Sequence, residues 1–285
     1  MATFTIIAEG ASLTAKAFSS HPFLGFMTNS ALVALIVMGS ILFLARRATR
    51  RMELIPSQGQ NMFEAVVESL YDTFEGIVGK HMAPKTFSLL ASLFLYILVC
   101  NWFGLIPGVG TIGWGEAAHG HLPWNIEHMD VPWFRPTMAD LNTTLGLAIV
   151  FMIFWLYWSL RENGLVGFLA HIFGMKGGFK GFMVLIMAPI FFFVGIIEVV
   201  SILFRPVSLS MRLFGNVLAG ETLLVTMMTM GKLFGFPEWL SFILSITLPI
   251  PFYFLELMVG LVQALVFTLL CAVYIQLSTT HDDEH

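Results

Sequence analysis

Five ionisable side chains stand inside long apolar stretches of this sequence. Glu198, Arg205, Arg212 and Glu221 fall within one stretch, and Glu256 falls within the next. By insertion scales, a charged group at the centre of a membrane helix costs at least about 2.5–3.5 kcal/mol, so such groups indicate a functional site. Carboxylates and guanidiniums in these positions suggest proton transfer.

Helical phase groups three of these residues with a nearby amide. Glu198, Arg205 and Arg212 are spaced by seven, so they drift only about 20° per step and share one face of a helix. Asn216 lies one turn beyond Arg212 on the same stripe. Glu221 follows Arg212 by nine residues and therefore points to the opposite side.

A second polar stripe belongs to the last apolar stretch, where Glu256 and Gln263 are again seven apart. Two antiparallel helices with facing polar stripes can enclose water and a proton relay. The expected threading puts Glu198 near one membrane surface, Glu221 and Glu256 near the other, and Arg212 between them. A fixed positive charge blocks direct proton hopping, so the arrangement predicts two half-pathways.

Structural roles compete with this interpretation. Arg205 next to Pro206 could anchor a helix start or extend to the cytoplasmic surface. Glu198 could do no more than neutralise Arg205, and Arg212 could form a structural salt bridge.

Polar residues outside the two stripes also have default interpretations. Asp140 and Asn142 stand at an expected helix start, where an N-cap or helix-dipole role is usual. His119, His121 and His128 could bind a metal ion, although a solvated loop is the simpler interpretation.

Composition identifies the medium that surrounds these residues. Of 285 residues, 57% are hydrophobic and 11% charged, whereas soluble domains are about 45–50% apolar and 25% charged. A helix needs roughly 20 mainly apolar residues to cross the hydrocarbon, and several such stretches are present. Both cysteines lie in apolar runs without metal-like spacing, which favours buried thiols over a disulfide.

The sequence therefore predicts an all-α polytopic membrane protein with a single membrane domain over 1–285. It should have five membrane-crossing helices, a cytoplasmic-side amphipathic helix, and two long, strongly tilted helices at the end. The expected segments are 1–56, an N-terminal region with the first crossing; 57–80, the amphipathic interfacial helix; 85–107, the second crossing; 108–139, an outside loop; 140–160, the third crossing, with Trp155, Tyr157 and Trp158 as interfacial anchors; a short interfacial segment over 164–181; and 182–230 and 237–278, the ion-channel helix hairpin.

Basic residues set the expected orientation. The cytoplasmic side receives nine Lys and Arg residues in this threading, the outside three: Arg46, Arg47, Arg50, Arg51, Lys80, Lys85, Arg161, Lys176 and Lys180 against Lys16, Arg135 and Lys232. The N-terminus is expected outside and the C-terminus in the cytoplasm. The N-terminal residues do not have the pattern of a signal peptide.

The stretch RPVSLSMRLFGNVLAGE, residues 205–221, closely resembles the signature of bacterial and chloroplast F-type ATP synthase subunit a. Three further stretches are similar to that family: FSLLASLFLYILVCNWFGLIPG at 87–108, PTMADLNTTLGLA at 136–148 and ELMVGLVQALVFTLLCAVYI at 256–275. The resemblance covers most of the chain from about residue 51. The outside loop over 110–136 is longer than the family pattern, and Glu256 stands where some relatives have histidine.

The resemblance implies a mechanism. Arg212 is expected to be the essential arginine that faces the rotating c-ring and separates two aqueous half-channels. The remaining half-channel residues are expected to be Asp140, Asn142, Glu198, Arg205, Asn216, Glu221, Glu256 and Gln263. Expected partners are the c-ring, peripheral-stalk b subunits, other ATP synthase subunits and the lipid bilayer of a bacterial inner membrane, with no nucleic acid. No metal, cofactor or bond chemistry of its own is expected.

Two other classes stay open from the residues alone. A stand-alone ion channel or secondary transporter would be expected to show two related halves with Gly- or Pro-broken short helices, and no corresponding halves stand out. A structural scaffold would leave the five intramembrane charges unexplained.

Overall fold

Five helices of the computed structural model are long and apolar enough to cross a membrane. The structure describes residues 28–50, 58–106, 109, 113–117, 126–132, 135–173 and 182–279. The N-terminal 27 residues, the C-terminal HDDEH and the segment with Lys176 and Lys180 lie outside the described residues. The expected all-α polytopic architecture is confirmed, with one short pair of strands added to it.

Helix α1, Asn29–Thr49, is the first crossing. Thr28 caps it, since its side chain accepts a hydrogen bond from the backbone N–H of Ala31 at 3.2 Å. Two arginines occupy its last turn, where cations favour the helix dipole.

Helix α2, Gln58–Val78, matches the amphipathic segment expected at 57–80. Its apolar side inserts Phe74 and Val78 into the core, while Glu64 and Glu68 on the other side are exposed. Gly79 ends the helix with a φ of 83°, a left-handed conformation that glycine adopts readily.

Helix α3, Ala83–Gly104, forms the second crossing. The loop that follows contains two short strands, β1 (Gly113–Ala117) and β2 (Ile126–Pro132), which pair antiparallel. This hairpin was not predicted from the sequence.

A 3₁₀ turn over Thr137–Ala139 leads into helix α4, Leu141–Phe173. The third crossing was expected to end near 160, but the helix continues to a kink at Gly164, and a second helical stretch follows to Phe173. At Gly164 φ is 68° and ψ is 169°, outside the helical region. Glycine accepts this conformation without the Cβ clash that other residues would suffer.

Helix α5, Phe182–Leu233, is the longest element at 52 residues. As a straight helix it would extend roughly 78 Å, far more than the roughly 30 Å hydrocarbon core, which agrees with the expected tilt. Only 6% of the most apolar 18-residue stretch of this helix is buried within the chain. Lipid or other proteins must therefore cover most of its surface.

The last expected crossing, 237–278, is divided in the structure. Helix α6, Glu238–Thr247, and helix α7, Pro249–Thr279, meet at Leu248. Pro249 lacks the N–H that would continue the hydrogen-bond ladder, although Leu248 itself keeps a helical φ of −64° and ψ of −40°.

The buried core lies between α2, α3, α4, α5 and α7. Its largest fully buried side chains include Phe74, Leu90, Phe151, Leu213 and Phe267, one from each of these helices. The core holds α5 and α7 against α3 and α4, and this packing positions the polar stripes.

Candidate functional site

A cavity of about 340 Å³ lies between α3, α5 and α7, with a few polar side chains among a mainly apolar lining. Asn216, Glu256 and Gln263 of the two predicted stripes line it, and so does Glu221, which helical phase had put on the opposite side of its helix. The structure therefore brings these amide and acid groups together. Asp140, Asn142, Glu198, Arg205 and Arg212 are not among the lining residues.

Two side-chain amides join α5 to α7 at the cavity wall. Asn216 Nδ2 donates a hydrogen bond to Gln263 Oε1. Gln263 is buried, and its Nε2 has no hydrogen-bond partner among the described residues. An unpaired buried polar group costs about 1–3 kcal/mol, so this amide is suited to bind water inside the cavity.

Asn101 on α3 is a further cavity residue with an unused polar atom. Its Nδ2 donates to the Gly260 carbonyl at 3.1 Å, whereas its Oδ1 has no partner in the described part of the chain. Together with Gln263 it offers one acceptor and one donor to the cavity, which has room for several water molecules of about 30 Å³ each.

Glu256 packs directly on the backbone of α5 at Gly220. A Cβ added at Gly220 would overlap the Glu256 carboxylate. The missing side chain lets this carboxylate lie beside the residue that precedes Glu221, so both acids reach one cavity.

Arg212 lies outside the cavity on an exposed face of α5. The three ion pairs in the described part of the chain involve other residues, and no hydrogen bond from its guanidinium is present there. No carboxylate among the described residues therefore forms the structural salt bridge that was considered for Arg212. Its neighbours Leu209 and Leu213 are buried, so the backbone is packed while the charge faces outward.

Glu198 and Arg205 form an ion pair, with 2.9 Å between Oε1 and Nη2. Arg205 lies in the middle of α5 rather than at a helix start, so the anchor interpretation is wrong. Glu198 does lie close enough to neutralise the charge of Arg205, as the alternative interpretation expected. Trp155, expected at the membrane interface, is buried beneath this pair at 2% exposure, and Trp158 is also buried.

Asp140 caps α4, as the default interpretation predicts. Its Oδ1 accepts from the Asn142 backbone N–H at 3.2 Å, and its Oδ2 accepts from Thr143 Oγ1 at 3.3 Å. A third donor is Ser30 Oγ on α1, at 2.9 Å from Oδ2. Ser30 and Asp140 are both buried, so this bond ties the first crossing to the start of the third. The Asn142 side chain is exposed.

The turn before α4 reaches the cavity through Pro136. Arg135, counted as an outside-loop residue, is buried and donates from Nη2 to the Ala139 carbonyl at 3.1 Å. Its charge also attracts Glu221 electrostatically. In the sequence, only the position of Arg135 next to the Pro-Thr-x-Asp motif could have suggested that this residue is buried near the site.

Metal binding has no support in the described ranges, where no group of three His, Cys, Asp or Glu side chains is placed to hold an ion. His119 and His121 lie outside the described residues, as does the side chain of His128.

The sequence matches one protein family over most of its length. Residues 27–276 match the family model described as ATP synthase A chain. A protein named ATP synthase subunit a from Protochlamydia amoebophila is 32% identical over 251 residues, which cover 88% of this chain and 80% of that protein. Proteins of the same name from Aliarcobacter butzleri and Campylobacter fetus are 30% and 29% identical, over 84% and 93% of this chain and 84% and 94% of their own. With a family match across all five crossings and the cavity between them, the chain belongs to the ATP synthase A chain family.

Proposed function

We propose that this protein is the proton-conducting a subunit of the membrane sector of an F-type ATP synthase, and that Arg212 separates two offset aqueous half-channels. The observation that carries the proposal is the placement of Arg212. A permanent charge without a partner in the described chain lies on an exposed apolar face, next to a cavity that it does not enter. Such a charge needs a carboxylate from another protein, because an isolated guanidinium in the bilayer is costly.

The cavity is proposed as the half-channel on the outer side. Glu221 and Glu256 are its titratable groups, and the Asn216–Gln263 pair forms its wall toward α5. Asp140 and Asn142 belong to its outer mouth, where the capped turn holds Pro136 against the cavity. The two unpaired amide atoms support a chain of water molecules along this route.

The surface beside Arg212 is proposed to face the c-ring. An open groove of about 540 Å³ runs between Asn216 on α5 and the exposed apolar residues of α7. Phe254 is 70% exposed there and Val262 57%. This apolar surface suits a rotating helical ring, whose carboxylates would pass Arg212 and take protons from the Asn216–Gln263 end of the cavity.

The inner half-channel is proposed near Glu198, which lies 14 residues before Arg212 on the same stripe, roughly 21 Å along a straight helix. A proton released by the c-ring beside Arg212 would leave past this carboxylate to the cytoplasm. Each elementary charge moved across the membrane contributes about 2.3 kcal/mol per 100 mV. Arginine suits the separating position because it does not deprotonate in proteins.

The remaining partners and the location follow from the same proposal. The exposed acidic side of α2 supports contact with protein, for which the peripheral-stalk b subunits are proposed. The bilayer is proposed to be a bacterial inner membrane, with the N-terminus outside and the C-terminus in the cytoplasm. The subunit performs no bond chemistry itself and contributes proton flow to the rotary complex.

Substitution of Arg212 tests the proposal. In membrane vesicles that carry the assembled complex, Arg212→Ala should abolish ATP-driven proton pumping and retain or raise the passive proton leak. Lys232→Ala removes a charge from the end of the same helix and should leave pumping unchanged. Undiminished coupled pumping with Arg212→Ala would refute the half-channel mechanism and favour a stand-alone channel or transporter.

A further inference from the structure

Arg205 occupies an enclosed site between three helices. Its guanidinium pairs with Glu198 two turns earlier on α5, at 2.9 Å. Its Cζ also lies 4.8 Å from the ring centroid of Tyr274 on α7 and 5.5 Å from that of Trp155 on α4. The Arg205 side chain is only 14% exposed, while that of Glu198 is 41% exposed.

The aromatic walls of this site are themselves fixed. Trp155 Nε1 donates to the Tyr274 carbonyl at 2.9 Å, which locks the indole ring to α7. Two turns further along α4, Asn163 Nδ2 donates to the Ser278 carbonyl at 2.6 Å, so α4 and α7 are joined at two points. The Trp155 ring is therefore held by a backbone contact that does not depend on Arg205, and the same contacts fix the backbone of α7 that carries Tyr274.

The backbone of α5 just before Glu198 is held by close helix packing. Gly195 lies one turn before Glu198, and a Cβ at Gly195 would overlap the ring of Phe173 at the end of α4. The α4 helix therefore sets the position of α5 at both Gly195 and Arg205.

These contacts make Arg205 a poor proton carrier and a good fixed counter-charge. Its guanidinium does not deprotonate, and a cation over aromatic rings away from water gains about 2 kcal/mol or more. The charge is consequently immobile, and the more exposed member of the pair is the carboxylate. Only the carboxylate can exchange protons with water.

We propose that Arg205, clamped by Trp155 and Tyr274, is a positioning residue that aims Glu198 into the cytoplasmic-side half-channel. This inference rests on the proposed function, since it assigns to Arg205 a task within the inner half-channel. Arg205 acts through Glu198 and is not itself part of the proton path. Trp155 and Tyr274 act through Arg205.

A double-mutant cycle on the assembled complex in membrane vesicles tests whether Arg205 works through Glu198. Passive proton conductance is measured after removal of the catalytic sector, for Glu198→Gln, Arg205→Gln and the double variant. Each single variant should lower conductance about tenfold, as expected when about 1.4 kcal/mol of a charged hydrogen bond is lost, and the double variant should match Glu198→Gln. Wild-type conductance in Arg205→Gln, or losses that multiply in the double variant, would overturn the proposal.

The aromatic clamp is tested by variants that leave the ion pair intact. Tyr274→Leu should lower conductance severalfold, whereas Tyr274→Phe keeps the ring and should restore it. Equal loss in both variants would contradict a clamp made by the ring face. The same pair of variants decides the matter if Arg205→Gln does not assemble, and native gel electrophoresis reports assembly for each complex.

Failure of this inference is distinguishable from failure of the proposed function. Coupled pumping retained in Arg212→Ala refutes the half-channel function. Loss of coupling in Arg212→Ala, combined with wild-type conductance across the Arg205 and Tyr274 variants, refutes only the positioning role.

Discussion

Replacement of Ser30 by alanine should destabilise the protein although Ser30 lies far from Arg212. Its hydroxyl is fully buried and donates to the Asp140 carboxylate at 2.9 Å. Hydrogen bonds to charged groups contribute about 1.5–3 kcal/mol. Asp140 retains two other donors, so a loss of about 2 kcal/mol is expected. At about 2–4 °C per kcal/mol for a chain of this size, the midpoint of thermal unfolding should fall by about 4–8 °C.

The two cysteines provide the assay for this loss. Cys100 and Cys271 are free and almost fully buried, so a thiol-reactive fluorophore should label them only when the helices separate. The purified full-length chain in lipid nanodiscs is heated with the dye, and the midpoint of labelling is compared with that of the unsubstituted protein. Ser40→Ala is the matched control, because Ser40 is exposed on the same helix and donates to its own helix at the Ile36 carbonyl.

An unchanged midpoint in Ser30→Ala, or an equal fall in Ser40→Ala, would refute the reasoning. The first result would mean that the Ser30–Asp140 bond contributes no net stability. The second would mean that any hydroxyl on α1 has the same effect, so that the link to α4 is not special.

Two substitutions probe the cavity between α5 and α7. Gly220→Ala adds a methyl group where the Glu256 carboxylate lies; proton conductance and the unfolding midpoint should both fall, since overpacking costs about 1–3 kcal/mol. Gly146→Ala, in open space on α4, should cause neither fall, and a silent Gly220→Ala would contradict the close approach. Gln263→Leu removes the acceptor of the Asn216 amide. Because the unpaired amide then costs about 1–3 kcal/mol, proton conductance should fall about tenfold. Conductance equal to that of the unsubstituted complex would exclude Gln263 from the route.

The crossings were predictable because a helix in lipid must satisfy all its backbone groups within itself. Length and apolarity alone therefore identified the five spans, and the 3.6-residue period identified α2. Interruptions were harder to predict. The kink at Gly164 needs a positive φ, and nothing in the sequence distinguishes this glycine from the other 24. The end of α6 at Thr247, two residues before Pro249, could equally have been a bend within one helix.

The features of the site that could not be predicted from the sequence are contacts between distant segments of the chain. Helical phase correctly paired Glu256 with Gln263, because seven-residue spacing fixes a helix face regardless of tertiary structure. On α5 it separated Glu221 from Asn216, whereas both line the cavity. It could not reveal the bond between Ser30 and Asp140, which are 110 positions apart. Trp155 was misassigned for the same reason, since an indole that anchors a helix at the interface and one that packs on a distant Tyr274 look alike in sequence.

Arg205 and Arg212 carry the same charge but differ in the side chains that surround them. They lie on one stripe of one helix, seven residues apart, and their spacing alone does not distinguish them. Packing separates them: Arg205 has a carboxylate and two aromatic rings within this chain, whereas Arg212 has no ion-pair partner in the described residues. A charge already satisfied by its own subunit gains little from a passing carboxylate, because the first pair must break before the second forms. An unpaired charge gains the full interaction, so under the proposed function a carboxylate of the c-ring is expected to pair with Arg212 rather than with Arg205.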